Sequence, residues 1–523
     1  MGVMRPQALR ALWLVLLASI ALSLSGQAQS DSPVALFKKY FGQYKDTPSR
    51  VEAVLTLEGV EDPQVFELLF ARGKDKNAEP ELVRAVVRVL AGFKNEAQLT
   101  QVFDALKAEK TESGKELLLR AITDGKHKDR NGVIAALFAD KEWTIRRMAL
   151  KCVLASSDAS CAPQVLPLCD DAEAEVKGDA LDALAGMKSE LVVPKAITAL
   201  NDPTWQVRAS AIKALTLVRH KDAVEPLIQR LIKEDGRLVP DIAEALANLT
   251  GQEIGPKPDE WLKWWGQQDK ATYIIPTPEG IAFLRGKKSL KSGQGQGWEF
   301  VKSGVATSYN GIQTASRQMI FVIDCSGSME ALVTEKERFE AGNYPGFSRM
   351  AICKTELART IERLDANVRF NIIWFATDVG MWKKTLQPAN ILNKSAAKEW
   401  VMRLEPIGGS SKEDLASVGL AGAANLDKGK TNTFGSLKTA LGVNDLRTQD
   451  QNYKVEADTV FFLSDGRPTV GEYVDTDDIL REIKAINELR KVVLHTIAIG
   501  EFQKEFMKRL ADQNGGVFVD LGK

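Results

Sequence analysis

The chain has 523 residues, enough for two or more domains with cores of their own, and its apolar (44%) and charged (26%) fractions are those of ordinary globular protein. Lys and Arg (69) balance Asp and Glu (69), so the sequence has no basic footprint for nucleic acid. Beyond residue 30 no stretch is apolar for long enough to span a bilayer, and an integral membrane span is not expected in the mature chain.

At the amino terminus Arg5 and Arg10 precede an apolar run from Ala11 to Leu24, and Gly26 and Ala28 supply the small residues that precede a cleavage site. This is the layout of a secretory signal over residues 1–29, too short for a comfortable bilayer span. It predicts an exported chain, periplasmic, in the cell envelope or secreted. No cysteine lies near the cut, which argues against a lipid-anchored form.

Residues 31–268 read as helical and repetitive. Asp140, Ile145-Arg146 and Ala149-Leu150 recur as Asp171, Val176-Lys177 and Ala180-Leu181, then as Asp202, Val207-Arg208 and Ala211-Ile212, with a register of 31 residues both times. Val83-Arg84 lies two such periods upstream of Ile145-Arg146, with a degenerate unit between, and a weaker unit follows Asp235. Each unit reads as an Asp turn, an amphipathic helix and a second helix such as Ala223 to Leu231. Such units bury their apolar faces only against neighbours, which predicts an α-solenoid of stacked helix pairs. They resemble short HEAT-like repeats. Trp261, Trp264 and Trp265 end the array, where rings are expected to cap the last repeat.

Residues 269–317 are turn- and linker-like, with Thr277-Pro-Glu-Gly and the Gly-rich Lys291 to Gly297, and read as a connector. From 318 to 523 strands alternate with helices. Strands are expected at 319–323, 368–375, 460–463, 492–499 and 517–519, with a short edge strand at 381–385. Helices are expected at 349–364, 396–404, 435–441, 477–489 and 503–512. This alternation predicts an α/β, doubly wound, mostly parallel sheet of Rossmann-like form with helices on both faces.

The first strand, Val322-Ile323, ends in Asp324-Cys-Ser326-Gly-Ser328. In an open α/β sheet, ligands bind at the carboxyl ends of the strands, where strand order reverses. One carboxylate and two hydroxyls there are hard oxygen donors of the kind Mg²⁺ prefers. Two later segments extend the pattern, Gly429-Lys-Thr431-Asn-Thr433 and the strand Thr459 to Leu463 followed by Ser464-Asp465-Gly466. Together, in this order, the three segments resemble the metal-ion-dependent adhesion site of von Willebrand factor type A domains. A second candidate for the threonine loop is Pro406 to Ser411.

The resemblance covers residues 318–523 and implies the same doubly wound fold. It implies that Ser326 and Ser328 ligate Mg²⁺ directly, and that Thr431 does so when a ligand is engaged. Asp324 and Asp465 are then held largely through coordinated water; Mn²⁺ or Ca²⁺ could replace Mg²⁺. It further implies a protein partner whose Asp or Glu carboxylate completes the coordination sphere, with the long loops 330–347 and 408–428 framing it.

The five cysteines (152, 161, 169, 325 and 353) are an odd number, so at least one is unpaired or bonded to a partner. A Cys152–Cys161 bridge and plain burial as small hydrophobes are both open readings. Only His127, His220 and His495 are available as imidazole bases. His127 and His220 fall in repeat loops and His495 within a strand, and no hydrolase elbow, Walker loop or dinucleotide fingerprint is present. The sequence therefore predicts a non-enzymatic binding protein with two protein-binding surfaces, the repeats and a Mg²⁺-gated sheet edge. The alternative is a scaffold or accessory subunit of an enzyme complex, in which the solenoid makes the main contacts and the metal is incidental.

Overall fold

The computed structural model describes residues 32–283, 307–408, 429–443, 455–500 and 504–521. The expected signal segment, residues 284–306 of the connector and Ser410-Ser411 lie outside them. The chain forms two compact units, residues 1–158 and 159–523.

The first unit is a run of helices. Pro80–Ala91, Glu112–Asp124 and Trp143–Ala155 form its inner row, so Glu112–Asp124 is the degenerate unit between Val83 and Ile145. Leu118, Leu119 and Ile122 lose all their solvent exposure there. The recurring aspartate has a local chemical role. Asp140 Oδ1 accepts the Glu142 N–H at 2.9 Å, capping the turn, and Oδ2 pairs with Lys115 of the preceding helix at 2.5 Å. Arg146, six residues on, donates back to the Asp140 carbonyl at 2.9 Å. The repeat thus encodes a turn, its cap and a cross-link to the previous helix.

In the second unit the same device returns at Asp202. Its carboxylate accepts from Thr204 N–H and from Lys177 Nζ (2.6 Å), and Arg208 donates to its carbonyl. Inner helices run Ala174–Gly186, Trp205–Val218 and Leu238–Thr250. The second helix of a repeat is less regular than the sequence suggests. Ala162–Val165 is a single turn continued by the 3₁₀ segment Leu166–Asp170, because Pro167 lacks the N–H that would bond back to the Pro163 carbonyl in a continued α-helix. Trp261 and Trp265 are buried at the end of the array, and Trp261 Nε1 donates to the Gly255 carbonyl at 2.7 Å. Tyr273 meets Trp264 and Trp265 edge-on, extending this cap into the first residues of the expected connector.

The rest of the second unit is built on a sheet. A hairpin, β1 (Thr307–Tyr309) and β2 (Ile312–Thr314), precedes β3 (Gln318–Asp324). Then come β4 (Arg369–Phe375), β5 (Val379–Met381), β6 (Gln387–Pro388), β7 (Thr459–Ser464), β8 (Val493–Ala498) and β9 (Phe518–Asp520). The order is β5-β4-β3-β7-β8-β9, with β6 also on β4. Strands β4, β3, β7, β8 and β9 are parallel, whereas β5 and β6 run antiparallel to β4. The expected edge strand at 381–385 is thus replaced by two short ones, one ending at Met381 and one starting at Gln387.

Strand alternation puts Phe321, Ile323, Phe370, Phe461 and Leu463 on one face, against helices Arg349–Arg363 and Ile391–Met402. Val322, Ile373, Val460, Phe462 and Leu494 face the other way, against helices Thr433–Ala440, Thr476–Arg490 and Lys504–Gln513. This is the doubly wound arrangement. Chain order moves outward from β3 to β4 in one direction and to β7 in the other, so the switch point lies between β3 and β7.

The amino-terminal edge of the same sheet meets the repeats of this unit. Lys491, just before β8, pairs with Asp182 at 2.6 Å, and its carbonyl accepts from Arg237 Nη1 at 2.6 Å. Arg317, just before β3, pairs with Asp235. Burial would raise the Asp182 pKa, but Lys491 and Lys213 outweigh it and hold the carboxyl below its ordinary value. All five cysteines are free and buried, so no Cys152–Cys161 bridge forms. Among the described residues no helix is long and apolar enough to cross a membrane.

Candidate metal centre

Asp324 is the last residue of β3 and is fully buried. Its Oδ1 accepts the Ser326 N–H at 2.8 Å, which turns the chain so that Ser326 and Ser328 fall on one side of the loop. The loop is held from outside by backbone bonds from Cys325 N–H to Phe375 O (2.7 Å) and from Ile407 N–H to Cys325 O (2.8 Å). Ser326 Oγ and Ser328 Oγ stand 3.1 Å apart.

Asp465 follows β7, the neighbouring strand, and its carboxylate Oδ1 accepts from Ser328 Oγ at 2.8 Å, bridging 137 residues of sequence. Ser464, at the end of β7, donates to Asp324 Oδ2 at 2.6 Å and locks the first carboxylate from behind. Thr431 comes from the third segment. A Cβ placed on Gly466 would lie 3.3 Å from Thr431 Oγ1 and 3.5 Å from Ser328 Oγ, so both hydroxyls flank that point. Thr431 is held by Thr469, whose hydroxyl accepts the Thr431 N–H at 2.8 Å and whose N–H donates to the Thr431 carbonyl at 3.0 Å. Asn432 caps the following helix through Gly435 N–H.

All five residues singled out in the sequence therefore meet at the carboxyl edge of β3 and β7. The sequence reading missed Ser464 as an orienting group, although it lies within the quoted strand segment. It also missed Arg349, the first residue of its helix, whose Nη1 donates to Asp465 Oδ2 at 2.5 Å. The competing loop shows only Pro406 to Gly408 among the described residues.

The electrostatics suit a cation. Burial first, and then the neighbouring Asp465 charge, push the Asp324 carboxyl up to about 7. Two carboxylates, three hydroxyls and no thiolate make a hard oxygen set, which fits Mg²⁺ and its congeners. Burial drives the Cys325 and Cys353 thiols far above the ordinary thiol range, so both are protonated in the metal-free protein at neutral pH.

A doubly wound sheet with this edge defines the class. Residues 348–520 match the family model "von Willebrand factor type A domain", and residues 193–260 match "HEAT repeats". The chain thus carries a von Willebrand factor type A domain behind HEAT-like repeats. The Asp324 loop lies upstream of the matched residues, so that part of the site rests on its own geometry. The chain is similar to inter-alpha-trypsin inhibitor heavy chain H1 of Mesocricetus auratus, 26% identical over 203 residues (38% of this chain, 18% of the relative). Heavy chain H4 of Homo sapiens is 26% identical over 215 residues (40% and 18%). The matches thus span less than a fifth of these relatives' length. Among solved structures, a von Willebrand factor type A protein from Catenulispora acidiphila is 19% identical over 40% of this chain and 39% of its own, with a TM-score of 0.27.

Proposed function

We propose that the edge formed by β3 and β7 binds a divalent cation, Mg²⁺ first, and that the loaded site docks a carboxylate of a protein partner. The supporting observation is the convergence of two buried carboxylates and three hydroxyls, from three distant segments, at the switch point of the sheet. Ser326, Ser328 and Thr431 would hold the ion by their hydroxyls, with Asp324 and Asp465 acting largely through coordinated water. The cation would supply a positive acceptor for an anionic oxygen. The protein's own groups keep the donors aimed: Ser464 orients Asp324, Ser328 orients Asp465, and Thr469 fixes the Thr431 backbone.

The role is binding rather than catalysis. His127 and His220 belong to the repeats, and His495 is buried and neutral, so the site has no imidazole base of its own. The fuller reading divides the chain into an export signal (1–29), helical repeats as a second protein surface (31–268), a connector (269–317) and the metal-gated domain (318–523). Both matched families support protein interaction, and the signal-like segment supports a periplasmic, envelope or secreted location.

Isothermal titration calorimetry of the full chain with Mg²⁺, against an EDTA-treated control, tests the reading. A saturable, EDTA-sensitive heat that disappears in the Ser326→Ala/Ser328→Ala double variant is expected, with the double variant keeping its fold by circular dichroism. Wild-type protein that neither binds Mg²⁺ nor gains thermal stability from it would defeat the proposal.

A further inference from the structure

The donor set explains five residues, but the tightest charged contact at the site is made by a sixth. Arg349 Nη1 lies 2.5 Å from Asp465 Oδ2, and both side chains are largely or wholly withdrawn from solvent, 13% and 0% exposed. The guanidinium is held in place. Its residue opens the Arg349–Arg363 helix, whose N-cap Ser348 accepts the Ala351 N–H at 3.1 Å. Its Cζ also packs over Gly500 just beyond β8, where an added Cβ would lie at 3.3 Å. Asp465 uses its other oxygen for Ser328, so Arg349 fixes which carboxylate oxygen faces the hydroxyls.

With both carboxylates ionised, Asp324, Asp465 and Arg349 together carry one negative charge. A divalent cation beside them converts this to one positive charge, in surroundings that screen it poorly. We propose that Arg349 is the built-in counter-ion of this site: it neutralises Asp465 in the metal-free protein, weakens metal binding, and gives the metal-loaded site a net positive charge that an anionic oxygen must balance. The inference rests on the divalent-cation reading above. It makes metal and carboxylate binding mutually reinforcing, since each ligand raises the affinity of the other by the same factor. Partner engagement, rather than metal concentration alone, then determines occupancy.

Calorimetric Mg²⁺ titration of the wild-type chain, Arg349→Gln and Arg349→Lys tests it, with thermal melts in Mg²⁺ and in EDTA. Arg349→Gln should bind Mg²⁺ about tenfold more tightly, an effect of ~1.4 kcal/mol, and gain the larger metal-dependent rise in melting temperature. Arg349→Lys, which keeps the charge, should stay within about threefold of wild type. A second measurement needs no variant. Wild-type affinity for Mg²⁺ should be several-fold tighter in sodium acetate than in sodium chloride at equal ionic strength. Unchanged or weaker Mg²⁺ binding by a folded Arg349→Gln would overturn the counter-ion role while leaving the metal site standing, as would an acetate effect of zero. If neither wild type nor variant binds Mg²⁺, the metal reading and this inference fall together.

Discussion

The helical repeats and the sheet organise polar chemistry over different distances. Between repeats, charges meet within one or two helices, as Lys115 with Asp140, Lys177 with Asp202 and Arg208 with Glu234, whereas Asp182 and Asp235 reach the sheet instead. In the sheet, Ser328 reaches Asp465 and Ser464 reaches Asp324 across 137 and 140 residues. A solenoid adds stability unit by unit, from nearest neighbours. The proposed metal edge exists only when β3 and β7 are paired. The repeats can therefore tolerate local damage that the site cannot.

This contrast can be broken by comparing two core truncations. Phe461 is fully buried in β7 between Phe321 and His495, and Phe461→Ala should cost about 3–5 kcal/mol and abolish Mg²⁺-dependent stabilisation. Leu118, equally buried in the first unit, should cost about 2–4 kcal/mol as Leu118→Ala and lower hydrogen-exchange protection across 112–124 and adjoining helices. Its Mg²⁺ isotherm should match wild type. Loss of metal binding in Leu118→Ala, or its retention in Phe461→Ala, would contradict the contrast.

A smaller effect comes from His495 on β8. Burial, and then the charge of Arg237, lower its pKa to about 4 from an ordinary 6.5. Its Nδ1 accepts the Val517 N–H at 3.0 Å, so the ring is neutral with its proton on Nε2. Since the folded pKa is depressed, the unfolded chain protonates first as pH falls. This contribution is complete above pH 6.5, declines between 6.5 and about 4, and is flat below, with a total on the order of 3 kcal/mol. Urea midpoints across that range should show the decline in wild type and a flatter profile in His495→Asn. At the other extreme, Arg403 and Glu399 form an i,i+4 pair that is 72% and 66% exposed, and Arg403→Ala should change stability by less than about 0.5 kcal/mol in equilibrium melts.

The same contrast explains what could be read from the sequence. The inner helices were legible because Asp, Arg and the apolar positions recur with the period of the fold. The central strands were legible because both of their faces are buried, and runs such as Val460 to Leu463 are continuously apolar. The single-turn helix Ala162–Val165 was not, since its end depends on a proline acting within an otherwise regular pattern. Helix Ile391–Met402 starts five residues before its expected start. Its boundary is set by the Asn390 side chain, which caps Asn393 N–H, while Ile391 and Leu392 remain exposed and carry no amphipathic signal. At the site, the five residues that converge were legible as an ordered motif. Arg349 was not, because nothing in a Ser-Arg-Met helix start marks the carboxylate it will meet.

The pairing of β3 with β7 also has a consequence in time. More than 130 residues separate the first aspartate of the edge from the second, and the strand carrying the second is the third of the five parallel strands to be synthesised. While the chain emerges, repeats can stack as each is completed. The Asp324 loop must wait, lacking its neighbour, until residue 465 has been made and the long-range closure has occurred. A cation that requires both carboxylates therefore has no complete binding site on a nascent chain. Its capture would be a late event, reporting that the central pair of the sheet is in register.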